Sequence, residues 1–194
     1  LLLPQTMSFT GAINWPTGSY NFVSEEDNAP MTIERYFTQY YTLKKNERWR
    51  EIIRLGHKAI QACIEIFHYE AEAQIRLQLC AAFYYLGAYD KALDQALQAN
   101  EIAREHDYVR LLIKSLYQTS AVHRALAHLS QSDDKKEENF KRANFNNNEA
   151  KKLYRSIHIK DPYLKAKVYY NIAALEADFP KWGDKNLAEK YYKK

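Results

Sequence analysis

Two stretches of this chain superpose when one is shifted by 40 positions. Trp49 falls on Tyr89, Ile52 on Ala92, Gly56 on Ala96 and Ala59 on Ala99. Upstream of each, Ile33 falls on Ala73 and then on Ile113, and Tyr36 on Arg76 and then on Leu116. A repeat of this length holds one supersecondary unit, and the apolar face it leaves open can be covered only by the next copy. The clearest copy runs from Leu79 to Ala99, LCAAFYYLGAYDKALDQALQA. Small residues at Cys80, Ala92, Ala96 and Ala99 let two helices approach closely, and Phe83 and Tyr89 fill the gaps beside them. Gly87 reads as the stop between the two helices.

Long stretches without Gly or Pro favour helix, and only 5 of each occur in 194 residues. The pattern predicts helices over about 31–45, 49–67, 69–88, 89–106 and 108–129, the first capped by Thr32 after Pro30. Ser120 falls on the small site of Cys80. Phe140, Ala143, Asn147 and Ala150 then reproduce the spacing of Tyr89, Ala92, Ala96 and Ala99, but at a shift of 51. About eleven extra residues therefore lie near Ser130–Glu138, SQSDDKKEE, read as a solvated turn with Ser132 or Asp133 as the next cap. Asp161 and Pro162 open a fourth pair, with Tyr169, Ile172, Ala173 and Leu175 as its apolar stripe. Residues 179–183 turn the chain, and Leu187, Ala188 and Tyr191 begin a last helix.

The order Leu79, Cys80, Phe83, Gly87, Tyr89, Ala92, Ala99 resembles the tetratricopeptide repeat family. Asn171-Ile172-Ala173 is similar to that family's polar, Leu, small triplet. A shift of 40 exceeds the family's usual length of about 34, so the resemblance is to a long-helix variant. It implies an all-α fold: a right-handed α-solenoid of about four stacked antiparallel helix pairs over residues 31–194, truncated at its C-terminal end. Residues 1–30 are punctuated by Pro4, Gly11, Pro16, Gly18 and Pro30 but keep Trp15, Tyr20 and Phe22, and are expected to form an extended arm. The chain lacks an initial Met and ends within a helical pattern, so it reads as cut from something longer.

Little in the sequence points to chemistry. The net charge is +4, with 28 basic residues interspersed among 24 acidic ones, which does not suit nucleic acid. No apolar run is long enough to span a membrane, and the expected setting is cytoplasmic. Cys63 and Cys80 occupy small-residue positions and read as reduced core thiols. There is no glycine-rich phosphate loop. His123 and His128 are five apart and point to different sides of a helix, which argues against shared metal ligation. No catalytic residue, metal or cofactor is expected.

The resemblance implies that the first helix of each pair lines a concave groove where peptides lie. The positions expected to face that groove are Phe37, Tyr41, Gln78, Tyr84, Tyr85, Lys114, Tyr117, Gln118, Arg124, Lys167, Tyr170 and Asn171, together with Ala81. Aromatics beside long basic chains suit an extended peptide with some acidic character. Chaperone-binding members of the family carry a Lys and Asn clamp. Of the matching residues here (Phe37, Tyr41, Gln78, Lys114 and Gln118), only Lys114 agrees, so recognition of a chaperone's terminal carboxylate is not expected. The function read from this is a non-catalytic protein- or peptide-binding scaffold, the interaction or sensory part of a larger signalling or regulatory protein. The alternative is a homo-oligomerisation module, in which residues 1–30 or the C-terminal helix dock on another copy.

Overall fold

The computed structural model of this protein describes residues 31–157 and 161–193. The expected arm at 1–30 lies outside the described residues. Eight helices follow in order: α1 Ile33–Lys45, α2 Trp49–Glu65, α3 Tyr69–Tyr85, α4 Tyr89–Glu105, α5 Val109–Leu129, α6 Asp133–Ser156, α7 Pro162–Asp178 and α8 Lys185–Tyr192. Each packs on its predecessor in the chain, and α3 also packs on α5 and α5 on α7. The odd-numbered helices therefore form one layer and the even-numbered ones the other, which is the arrangement of an α-solenoid.

The first four connections are built alike. Each is three residues long, and the middle one has positive φ: Glu47 at 54°, Phe67 at 56°, Gly87 at 72° and Asp107 at 56°. Its N–H reaches back three residues, and the next N–H reaches back five, as in Glu47 to Lys44 and Arg48 to Leu43. These paired bonds satisfy carbonyls that a helix end otherwise leaves orphaned. Seventeen helical residues in each of α2, α3 and α4, plus this turn, make a unit of 20, half of the 40-residue repeat. Gly87 stops its helix as expected, but glutamate, phenylalanine and aspartate do the same work at the other three turns. A side chain in this left-handed region costs about 1–2 kcal/mol relative to glycine. Phe67 bears that cost with its ring in solvent, 73% exposed.

The eleven-residue insertion is not a loop. Compared with the 17-residue α3 and α4, α5 is four residues longer and α6 seven longer. The charged segment is mostly helix: Ser132 is the cap, its hydroxyl accepting from the Lys135 N–H at 3.3 Å, and Asp133 and Asp134 sit in the first turn. Four and seven are close to one and two helical turns, so the insertion lengthens both helices without rotating their apolar faces. Two further caps are as the sequence predicts, while His68 on α3 and Asp184 on α8 were not anticipated. Thr32 accepts from Arg35 N–H at 3.2 Å, and Asp161 accepts from Leu164 N–H at 2.9 Å with Pro162 opening α7.

The core follows the repeat. Ile33, Ala73 and Ile113 are buried, as are Ile52, Ala59, Ala92, Ala96 and Ala99. Arg76 stands where Tyr36 and Leu116 are buried, and is held by Glu72 at 2.6 Å and Gln95 at 3.4 Å. Cys63 and Cys80 are free and buried, and burial first of all pushes each thiol up to about 12, so both stay protonated.

One buried titratable group gives stability a pH dependence. His123 lies between α5 and α6, its Nδ1 3.0 Å from the Asn139 side-chain oxygen. Burial is the main force lowering its pKa and Arg142 adds to it, while the Asn139 bond and Glu138 oppose. The folded state therefore resists the proton that the unfolded chain accepts below about pH 6.5. Stability contributed by neutral His123 is full above that pH and lost as pH falls through 6.5 toward the lower folded value. The urea midpoint is expected to drop more steeply between about pH 7 and 5 in the native chain than in a His123→Gln variant. Equal slopes would show that His123 titrates normally.

Candidate functional site

The odd-numbered helices bring tyrosines from four parts of the chain toward one another. Tyr40 on α1 is buried, and its phenol is pushed up to about 12, chiefly by burial and then by nearby Tyr41, Tyr163 and Tyr85. Tyr117 on α5 is raised further, again by burial first, with Tyr163, Cys80 and Asp161 adding to it. Phenols from α1, α3, α5 and α7 thus lie close enough to feel each other's charge. Each is carried by an element whose buried stripe fixes its direction. In α7, Leu164, Val168 and Ile172 face inward, which turns Tyr163 and Lys167 outward. The Lys167 ammonium sits 5.4 Å above the Tyr163 ring.

Several of these rings are held in place. Tyr85 stacks on Trp49 of α2 with centroids 4.4 Å apart, yet remains 63% exposed. Tyr84 meets both Tyr85 and Tyr89 edge-on, at 6.0 and 5.4 Å. Tyr41 lies edge-on to Tyr40 at 5.3 Å, and Phe37 edge-on to Tyr36 at 5.7 Å. Such rings present area without much rotamer entropy left to lose.

The polar groups among them are few. The side-chain oxygens of Gln78 and Gln118, 40 positions apart, are buried without a protein donor. Gln118 also hydrogen-bonds Tyr117. Lys114 is partly covered, and burial lowers its pKa, assisted by Arg110 and opposed by Asp161. The two amide oxygens are shut off from solvent as well as from donors, so they lie beneath the face and do not line it, while a desolvated ammonium favours an anion. The exposed rings and Lys114 can hold an extended chain by its apolar side chains and one negative charge.

The expected groove residues do not all gather there. Tyr41, Tyr85 and Tyr117 belong to the converging cluster. Arg124 is largely covered and pairs with Asp178 at 3.6 Å, a carboxylate that also meets His128 at 2.9 Å. Tyr170 is exposed and lies edge-on to Tyr192 of α8 at 6.2 Å. Asn171 corrects the sequence reading. It is 7% exposed and its amide donates to the Lys167 carbonyl at 2.8 Å, because α5, α6 and α8 all pack on α7. Tyr163 was missed. It precedes buried Leu164 in the same way that exposed Lys167 precedes Val168, and that spacing could have found it.

Among the described residues, no group of three or more His, Cys, Asp or Glu could hold a metal ion. No described helix is long and apolar enough to cross a membrane.

The fold and this face define an all-helical repeat protein, an α-solenoid. No family model matches the sequence, and no curated protein matches it. Among solved structures, the chain is similar to the crystal structure of the apo form of RapI, with a TM-score of 0.67 and 17% identity. The likeness covers 88% of this chain and 56% of that one, so the chain spans little more than half of that protein's length. At such identity the likeness shows the shared helical-repeat fold.

Proposed function

We propose that this chain is a non-catalytic scaffold of the cytoplasm that binds a protein or peptide along its tyrosine-lined face, as the interaction or sensory part of a larger signalling or regulatory protein. The observation that supports this best is the convergence of Tyr41, Tyr85, Tyr117 and Tyr163, with Lys114 near the same Asp161 that Tyr117 feels. The bound segment is extended and carries some acidic character. Its apolar side chains lie on the phenol rings, and a carboxylate pairs with Lys114. Because the rings are already packed, the ordering cost falls mainly on the peptide.

The test is to pan a displayed library of unstructured peptides on the native chain and titrate the enriched sequences against variants. Tyr85→Ala and Tyr163→Ala are each expected to weaken binding by about tenfold or more, the effect of losing a central aromatic contact. Lys114→Gln is expected to remove the preference for acidic sequences. Peptides that bind all three variants as well as the native chain would place the binding surface elsewhere.

A further inference from the structure

We propose that one edge of the solenoid docks into the opposite edge of a second copy of this chain, with Phe67 as the anchor. This does not rest on the groove reading, and it concerns the two ends of α2.

Beyond the C-terminal end of α2, Phe67 projects from the α2–α3 turn in a left-handed conformation that glycine adopts at the equivalent Gly87. The fold gains nothing from an aromatic there, since Glu47 and Asp107 make the same turn. Phe67 continues into an apolar strip with Ile64 and Ile66, both exposed. Tyr69 lies 6.5 Å from Phe67 and stacks on His106 at 4.1 Å, which makes the strip's far side firm. Exposed Glu65, Glu70, Glu105 and Asp107 belong to the same two turns. The neighbouring Arg104 donates to the neutral Asn100 at 2.8 Å and keeps its charge, which offsets one of these four carboxylates. The edge is therefore an apolar knob with a negative rim.

At the N-terminal end of α2 lies its complement. A hollow of about 320 Å³ is lined by Glu47, Arg48, Trp49, Arg50, Glu51 and Leu86. Trp49 is fixed there by its stack on Tyr85, and Leu86 is 42% exposed. Glu51 is paired with Arg48, and exposed Lys44, Lys45 and Arg50 outnumber the remaining Glu47 along this edge. An aromatic ring fits a hollow that Trp49 and Leu86 help to line, and the acidic rim of one copy meets the basic rim of the next. Knob and hollow sit at opposite ends of one helix, so the contact is head-to-tail and every copy offers both halves.

Sedimentation velocity on the full chain, from about 1 μM to about 1 mM, tests this. The mass is expected to rise with concentration. Phe67→Gly is expected to weaken association by at least about 30-fold, the scale of an interface anchor, without lowering the urea midpoint, since glycine suits a positive φ. A hollow variant carrying Arg50→Glu and Leu86→Asp is expected to stay monomeric as well. Mixing the two variants leaves one working knob facing one working hollow, and a 1:1 pair that grows no further is the expected result. A native chain that remains monomeric throughout, a Phe67→Gly chain that associates as before, or a mixture that stays monomeric would each overturn the proposal.

Discussion

Shortening Leu79 to alanine is expected to lower the unfolding free energy by about 2–5 kcal/mol. Leu79 is fully buried on α3 and lies against Gly56 of α2, so it locks the second helix pair onto the first. A Cβ added at Gly56 would come within 2.5 Å of Leu79 Cδ2. That contact makes the two positions energetically dependent. In the native chain, Gly56→Ala forces Leu79 aside, which costs about 1–3 kcal/mol and outweighs the roughly 1 kcal/mol that alanine gains in helix propensity. Once Leu79 is alanine, the clash is gone and the new methyl fills part of the hole. The double variant is therefore expected to be more stable than Leu79→Ala alone, with a coupling above about 1 kcal/mol. Urea titrations of the four proteins, followed by helical circular dichroism, give the cycle directly. Additive losses would show that α2 and α3 do not meet in this register.

The same pair shows why so much of the fold can be read in the sequence. Where two helices approach closely, one side must be small, so Gly56, Ala59, Ala96 and Ala99 recur at fixed spacing and announce the packing. Side-chain caps are also legible, because Thr32, Ser132 and Asp161 must carry an oxygen to satisfy the first N–H groups. The turns at Glu47, Phe67 and Asp107 were hidden for the opposite reason. Their bonds are between backbone atoms, so the same geometry accepts residues with no chemistry in common. The insertion misled because a charged run suits a solvated turn and an exposed helix equally well. Only the lengths of α5 and α6 settle where it goes.

The candidate site was less legible than the fold. A helical period shows which residues avoid one neighbour, not how many neighbours a helix has. It correctly turns Tyr41 and Tyr85 outward, on helices with an open side. It fails at Asn171, because α7 is covered by α5, α6 and α8 and is buried continuously from Asn171 to Glu176. The convergence of Tyr40 and Tyr163, more than a hundred positions apart, depends on how far the stack curves, and no local spacing encodes that.

Asn147 is the place where the repeat breaks its own rule, and the break gives the second large prediction. It occupies the slot of Ala96 and Gly56, is 1% exposed, and neither its amide nitrogen nor its amide oxygen has a protein partner. A buried amide left unpaired costs about 1–3 kcal/mol, and asparagine is also a poorer helix former than alanine. Asn147→Ala is therefore expected to raise the unfolding free energy by about 1–3 kcal/mol, less whatever the lost volume leaves empty. Asn147→Leu separates the two contributions, since it removes the amide while keeping the volume. If both variants are more stable than the native chain, the amide is a liability tolerated by the stack. If only leucine helps, the slot between α5 and α6 needs bulk, and the insertion has spread these helices beyond the spacing that Ala96 serves. If both variants lose stability, the amide is hydrogen-bonded in solution through bridging water, and α6 is positioned by that bond and not by the small-residue packing that holds α2 and α4.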